Sequence, residues 1–84
     1  MSRKNKKAKD AFFLANGWKL STMLELVNAL DIMDQKTFAH HVNEERHDFA
    51  AWLEHSFRKK DLAEGLPAER KDMQIYLLKH LVGR

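Results

Sequence analysis

Apolar residues recur at three- and four-residue spacing in three separate stretches of the chain, and this periodicity restricts it to a mainly helical fold. The stretches contain Met23, Leu26, Val27, Leu30 and Met33, then Phe49, Trp52, Leu53 and Phe57, then Met73, Tyr76, Leu77, His80 and Leu81. Each set predicts the inner face of one helix, and Ile75, Leu78 and Val82 are expected to widen the last of these faces. The chain has 84 residues, which is enough for one core and too few for a second.

Capping residues predict where the first helices begin. Thr22-x-x-Glu25 is a capping box, in which each side chain accepts from the other residue's backbone N–H. Asp34 predicts the start of a second helix that brings Phe38, His41 and Val42 to one side. Residues 43–47 are all polar and predict a break before a third helix, with Asp48 in its first turn.

The C-terminal third of the chain carries its own boundary signals. Asp61 predicts the cap of a short turn over residues 62–66. Pro67 suits the first position of the last helix, because its missing N–H would have no intrahelical partner there. Gly83 predicts the end of that helix.

A hairpin is predicted upstream of the helices. Phe12-Phe13-Leu14-Ala15 and Trp18-Lys19-Leu20 are short apolar runs separated by Asn16-Gly17. Asn and Gly both tolerate the positive φ of a type I′ turn, so this pair predicts a two-residue hairpin loop. The fold class is therefore expected to be mainly α, with about four helices in a compact orthogonal-type bundle preceded by a short N-terminal β-hairpin. We expect residues 11–84 to be a single helical domain.

The net positive charge is concentrated at the N-terminus. Residues 1–10 carry five basic residues against one acidic residue, a net charge of +4, whereas the whole chain carries +3 and residues 11–84 therefore carry −1. The sequence predicts a flexible basic arm over residues 1–10 that could contact the phosphates of nucleic acid. The candidate nucleic-acid contacts are Arg3, Lys4, Lys6, Lys7 and Lys9 in the arm, and Arg58, Lys59 and Lys60 in a second basic cluster.

The stretch from Phe38 to Phe57 holds four of the five histidines among large aromatic side chains. Such a segment is either a functional surface or a polar joint between two helices. His41, Asn43 and Asp48 lie on both sides of the predicted helix break, so we expect them to form hydrogen bonds across it.

This segment also resembles a known sequence pattern. His41-Val42-Asn43-Glu44-Glu45, with Asp48-Phe49-Ala50 and Trp52, is similar to the H-V-N-E-E-x-N-D-F-x-x-W signature of a small prokaryotic domain of unknown function, found largely in archaea. Further matches to that domain, which span residues 12–64, are Phe12, Leu14, Asn16, Gly17, Glu25, Leu26, Ala29, Leu30, Asp61, Leu62 and Ala63. The resemblance implies a helical fold and no enzyme activity, ligand or partner. His47 stands where the signature has Asn, so it is expected to cap the third helix less well.

Catalytic and metal sites are not predicted. Glu44-x-x-His47 has the spacing of a di-iron motif, but such sites need a second copy, and the chain has one. The chain has no cysteine and no glycine-rich loop, which removes thiolate chemistry, cysteine-type zinc sites and phosphate cradles. We expect no enzyme activity, no metal and no cofactor.

A protein partner or a second copy of the chain is the favoured type of ligand. Trp18, Ile32 and Ile75 fall outside the regular apolar faces, and this surplus apolar surface predicts an interface. We expect a small interaction module in the cytoplasm, without a membrane-spanning segment, whose role the sequence does not specify. The alternative is a nucleic-acid- or ribosome-associated protein that uses its basic arm as an electrostatic tether.

Overall fold

Residues 6–83 are described by the computed structural model and form two strands followed by five helices. In chain order these elements are β1 (Lys7–Phe13), β2 (Lys19–Thr22), α1 (Met23–Ile32), α2 (Gln35–His41), α3 (Asp48–Phe57), α4 (Lys60–Glu64) and α5 (Arg70–Val82). The prediction of a mainly helical domain opened by an N-terminal hairpin is confirmed. One helix more than predicted is present in this part of the chain, because the turn expected over residues 62–66 is the short helix α4. The predicted cap was wrong, since Lys59 is the N-cap and Asp61 lies inside the helix.

The two strands are antiparallel, and the turn between them differs from the predicted one. Leu14 donates to the carbonyl of Trp18 at 2.8 Å, so the loop has three residues rather than two. Gly17 has a φ of 96°, whereas Asn16 does not have a positive φ. Asn16 instead accepts the backbone N–H of Trp18 with its side chain at 3.0 Å. The type I′ prediction was wrong, because only Gly17 takes the left-handed conformation, as in three-residue hairpin loops.

The predicted boundary of the basic arm was also wrong. Strand β1 begins at Lys7, so residues 7–10 belong to the hairpin. Ala8 packs against the core, and the carbonyl of Asp10 accepts the indole N–H of Trp52 at 2.7 Å. These two contacts hold the beginning of the strand, and neither is visible in the local sequence. Arg3 and Lys4 lie outside the described residues.

The first two helices begin at the predicted caps. Thr22 and Glu25 form both hydrogen bonds of the capping box at the start of α1. Asp34 caps α2 by accepting the backbone N–H of Thr37 at 2.8 Å. Both N-termini therefore have side-chain acceptors for backbone N–H groups that have no partner within the helix.

Helix α5 packs along α1 in the opposite direction. Arg70, at its start, donates to the carbonyl oxygens of Leu30 and Met33 at 3.1 and 2.6 Å, where α1 ends. Gln74, one turn later, donates to the carbonyl of Val27 at 3.2 Å, one turn earlier in α1. The side chain of Arg70 thus completes the hydrogen bonding of carbonyl groups that the end of a helix leaves unsatisfied.

The last helix starts three residues later than Pro67 indicated. Glu69 is its N-cap, and its side chain accepts the backbone N–H of Asp72 at 2.8 Å. Pro67 remains in the preceding loop, where its carbonyl contacts the His47 ring at 3.1 Å. The cap at Glu69 therefore decides where the helix begins, and Gly83 ends it as predicted.

The core lies between the hairpin, α1, α3 and α5. Its fully buried large side chains are Leu26, Leu30, Phe49, Leu53, Met73 and Leu77. Trp52 is also buried, and its ring lies 5.7 Å from that of Phe12 in the hairpin and 5.1 Å from that of Phe57. The hairpin is therefore one wall of the core. Of the helices formed by residues 6–83, none has the length and apolar character required to cross a bilayer.

Candidate functional site

The break between α2 and α3 is joined by a buried histidine and an aspartate. His41 and Asp48 lie on opposite sides of the break, and the Nδ1 of His41 is 2.9 Å from Oδ2 of Asp48. Arg46, within the connecting loop, donates its Nε–H to the other carboxylate oxygen at 3.0 Å. The structure thus brings together two of the three residues predicted to form the polar joint.

The protonation pattern of His41 follows from its second contact. The backbone N–H of Ala15, in the hairpin turn, points at His41 Nε2 at 2.9 Å. A backbone N–H can only donate, so Nε2 must carry a lone pair and Nδ1 must carry the proton. His41 therefore donates to Asp48 and accepts from Ala15. One imidazole ring connects the hairpin, α2 and the start of α3.

Aromatic rings surround this imidazole. Phe12 meets the His41 ring edge-on at a centroid distance of 5.0 Å, and Phe49 lies 5.6 Å away. His41 is 5% exposed, and both of its ring nitrogens are engaged in hydrogen bonds. This environment suits a structural joint, because an imidazole that acts as acid or base needs a nitrogen within reach of a substrate.

The carboxylate of Asp48 is held in its ionised form. Burial of Asp48 acts to raise its pKa, but hydrogen bonds from His41 and Arg46 and the positive charge of Arg46 outweigh burial and lower the pKa below its ordinary value. The side chain of Asp48 is 22% exposed, so water screens the Arg46 contact in part. Its ionised state is therefore linked to the stability of the joint.

Asn43 acts within the loop rather than across it. Its side chain donates to the carbonyl of Ala39 at 3.0 Å and accepts the N–H of Glu45 at 2.9 Å. Its backbone N–H donates to the carbonyl of Arg46 at 2.9 Å. Asn43 therefore shapes the loop that carries Arg46 towards Asp48, and it makes no side-chain bond to α3 of its own.

His47 caps α3, although a poorer cap was expected at this position. Its Nδ1 accepts the backbone N–H of Ala50 at 3.3 Å, while its Nε2 lies 3.1 Å from the carbonyl of Pro67. A carbonyl can only accept, so the proton of His47 is on Nε2. His41 and His47 are both neutral in this arrangement and carry their protons on opposite nitrogens.

Metal binding finds no support in this loop. Across residues 6–83, histidines and acidic residues nowhere form a group of three that could hold a metal ion. The E-x-x-H spacing of Glu44 and His47 does not produce a site, because the His47 ring is used by the cap and by Pro67.

The two basic segments lie at the same end of the molecule. His41 brings Ala15, which follows the end of β1, close to Asp48 at the start of α3. Trp52, further along α3, contacts Asp10, which lies earlier in β1. The strand and the helix therefore run in opposite directions. From Asp10 back to residue 7 the strand advances about 10 Å, and from Trp52 to residue 58 the helix advances about 9 Å. This brings Lys6, Lys7 and Lys9 to the end of the fold that carries Arg58, Lys59 and Lys60.

Arg58 has an unusual backbone conformation. Its φ of 58° and ψ of 40° are left-handed, and it is the only residue other than glycine with a positive φ among residues 6–83. The N–H groups of Arg58 and Lys59 both donate to the carbonyl of Leu53, and the left-handed residue ends α3. Glycine usually occupies this position, and a larger residue costs about 1 kcal/mol there.

The predicted partner residues are exposed but do not share one element. Trp18 follows the hairpin loop, Ile32 ends α1, and Ile75 lies in α5. Leu78 and Val82 are exposed as well, so the expectation that they widen the buried face of α5 was wrong. Together with Ile75 they form a row at three- and four-residue spacing, the α5 stripe, whose members are 44%, 39% and 73% exposed.

Sequence reasoning missed Leu24, which extends the α5 stripe onto α1. Gln74 bonds Val27, so antiparallel packing brings Leu78, one turn further along α5, level with Leu24, and both are exposed. The spacing of apolar residues does not show that Leu24 and Leu78 are exposed. Each directly follows a buried residue in its helix, so each looks like part of the buried face in the sequence. Arg70 was also missed, because its partners lie 37 and 40 residues away in sequence.

No family model matches the chain, and neither the curated proteins nor the solved structures contain a match. The resemblance to a largely archaeal domain therefore stays a prediction from the sequence.

Proposed function

We propose that this chain is a non-enzymatic, cytoplasmic interaction module that binds a protein partner, or a second copy of itself, through the α5 stripe. The observation that carries the proposal is the exposure of Ile75, Leu78 and Val82 in a single row. Exposed apolar side chains scattered singly need no explanation, whereas a contiguous group on a small domain is typical of an interface.

The position of the stripe on α5 supports this proposal. Met73 and Leu77 are fully buried, so α5 already supplies the core with one apolar face. At about 100° per residue, the centre of the stripe lies on the opposite side of the helix from Met73 and Leu77. Its apolar residues are therefore additional to those that the fold requires.

The surroundings of the stripe also suit an interface. Leu24 extends the apolar surface onto α1, the exposed residues Asp72 and Lys79 lie along one margin of the stripe, and Lys71 lies one turn before Ile75 at its end. Apolar residues in the middle and charged residues at the edge are the usual arrangement of a protein interface.

A mass measurement and an affinity purification test the proposal together. The double variant Leu78→Ser with Val82→Ser removes two of the three apolar side chains of the stripe and should leave the free energy of unfolding within about 0.5 kcal/mol, because both side chains are exposed. Light scattering over a concentration series should show self-association of the natural chain that the variant lacks, or nuclease-treated native extract should yield a partner protein that the variant fails to capture.

Glu44→Gln is the control, because it changes an exposed residue in the loop between α2 and α3, outside α5 and its stripe. A chain that stays monomeric at all concentrations and captures the same proteins as its double variant would overturn the proposal.

A second candidate function rests on the arrangement of basic residues. Lys6, Lys7, Lys9 and the cluster Arg58–Lys60 lie at one end of the fold, which favours contact with nucleic-acid phosphates. Deleting the arm is not a clean test, because residues 7–9 belong to β1. Replacing Lys6, Lys7 and Lys9 by Gln should instead weaken the dependence of duplex DNA binding on salt. The slope of the logarithm of the binding constant against the logarithm of the salt concentration should become smaller by about 0.9 for each phosphate contact that is lost. An unchanged slope would exclude these lysines as contacts.

A further inference from the structure

A cleft lies between the end of α3, helix α4 and the second half of α5. It has a volume of about 550 Å³ and is lined by Arg58, Lys59, Lys60, Asp61, Leu62, Tyr76 and His80. The α5 stripe does not include this cleft, whereas the second candidate function uses the same cluster Arg58–Lys60, and the inference below deepens that function. The cleft brings these three basic residues next to Tyr76 and His80 of α5.

Within residues 6–83, the positive charges of Arg58, Lys59 and Lys60 have no ion-pair partner. Among residues 6–83 the ion pairs are those that Asp48 makes with His41 and Arg46, so Arg58, Lys59 and Lys60 have no carboxylate within ion-pair distance there. Asp61 also lines the cleft, and its charge offsets one of the three. The cleft therefore keeps a net charge of about +2 from these four residues at neutral pH.

One wall of the cleft is held rigidly. The hydroxyl of Tyr76 donates to the carbonyl of Leu62 at 2.8 Å, which ties α5 to α4. Gly65 allows this approach, because a Cβ at that position would lie 2.6 Å from the hydroxyl oxygen. The Tyr76 wall of the cleft is therefore in place before any ligand arrives, which lowers the entropic cost of binding there.

The backbone of Arg58 provides a further argument. Its left-handed conformation is one that glycine adopts at lower cost, yet the residue at this position is an arginine that lines the cleft. Residues held in such conformations cluster at binding sites. A guanidinium group also matches the oxygens of a phosphate in a bidentate manner, which an ammonium group does not.

We propose that this cleft binds a phosphate group, with Arg58 as the principal ligand and Lys59 and Lys60 as supporting charges. The phosphate could belong to a polynucleotide backbone or to a small phosphorylated molecule, because both present the same oxygens to the site. The proposal is independent of the α5 stripe. Successive residues of a helix are about 100° apart, so Tyr76 faces a different side of α5 from Ile75. His80 lies on the same side as Tyr76, and the cleft therefore does not include the stripe.

Titration of the ¹⁵N-labelled chain tests the site. The probes are inorganic phosphate and a single-stranded oligonucleotide of about twenty nucleotides, a length that exceeds a typical single-strand site. Sodium chloride keeps the ionic strength constant. Saturable shifts of the amides of residues 58–62 and 76 are expected with phosphate.

The two affinities identify the source of the phosphate. If the chain binds the oligonucleotide at least tenfold more tightly than inorganic phosphate, the natural ligand is a polynucleotide. If the two affinities are equal, the natural ligand is a small phosphorylated molecule. Shifts that are absent, or that chloride alone reproduces, would overturn the proposal.

Arg58→Gly separates binding from folding. Glycine suits the left-handed backbone, so the midpoint of urea unfolding should rise, whereas phosphate affinity should fall at least fivefold. Lys36→Gln is the control, because it removes one positive charge from an exposed position in α2. It should leave the affinity within a factor of two. Equal affinities of Arg58→Gly and the natural chain would also overturn the proposal.

Discussion

The carboxylate of Asp48 accepts the Nδ1–H of His41 at 2.9 Å, across the break between α2 and α3. Since His41 also accepts the backbone N–H of Ala15, this pair holds the hairpin against both helices. The joint can be tested one hydrogen bond at a time.

Asp48→Ala should destabilise the fold. The substitution leaves the Nδ1–H of a buried imidazole without its acceptor, and an unpaired buried donor costs about 1–3 kcal/mol. We expect the free energy of unfolding in urea at pH 7 to fall by about 2 kcal/mol. Glu44→Ala, at an exposed loop position, is the control and should have little effect. An Asp48→Ala midpoint equal to that of the natural chain would show that the pair contributes nothing.

The contribution of Asp48 should also depend on pH. Because the pKa of Asp48 is lowered in the folded chain, its stabilising effect is complete above the pKa of the unfolded chain and is lost as the pH falls through the folded value. The difference in unfolding free energy between the natural chain and Asp48→Ala should therefore narrow below about pH 4. A difference that widens there would contradict the ionised pair.

His41 and His47 should be distinguishable by their tautomers. The contacts require the proton on Nδ1 in His41 and on Nε2 in His47. Long-range ¹H–¹⁵N correlation spectra of the imidazole rings at neutral pH should show these opposite patterns. The exposed His55 serves as a reference within the same spectrum. If His41 carried its proton on Nε2, the bond from Ala15 could not exist.

Trp52→Ala should prevent folding. Truncation of a buried tryptophan typically costs about 3–5 kcal/mol, close to the whole stability of a domain of this size. It also removes the donor to the carbonyl of Asp10, so the hairpin loses one of its hydrogen bonds to α3. We expect a poorly dispersed proton NMR spectrum. Trp18→Ala, at the more exposed tryptophan, should keep a folded spectrum. A dispersed spectrum from Trp52→Ala would disprove the role of this side chain in the core.

Gly65→Ala should destabilise the contact between α4 and α5. The added Cβ would lie 2.6 Å from the Tyr76 hydroxyl oxygen, and overpacking of this kind typically costs about 1–3 kcal/mol. The same substitution in a Tyr76→Phe background should cost less, because the closest atom is absent. Urea unfolding of the four chains gives the coupling energy. Equal costs in both backgrounds would mean that the hydroxyl does not limit the space at Gly65.

Local patterns were sufficient for the parts of the fold that depend on neighbouring residues. Thr22 and Asp34 have partners three residues away, so the starts of α1 and α2 could be predicted from their caps. His41 and Asp48 are seven residues apart on either side of a polar break, which made their pairing a reasonable hypothesis.

Features that depend on distant partners could not be predicted in this way. Residues 7–10 resemble a charged tail in composition, and their place in β1 depends on Trp52, 42 residues beyond Asp10. The contact of Ala15 with His41 spans 26 residues. The cleft beside Arg58 was not predicted either, because Tyr76 and His80 join it through the packing of α5 on α4.

The bonds from Arg70 to Leu30 and Met33 have a consequence for how the fold forms. The carbonyl groups of Leu30 and Met33 obtain these donors only when α5 has docked, and a peptide containing α1 alone would leave both groups to water. Helix α1, with 10 residues, is also too short to be stable in isolation. The two helices should therefore form and melt as one cooperative unit, with similar protection of their central amides in native-state hydrogen exchange.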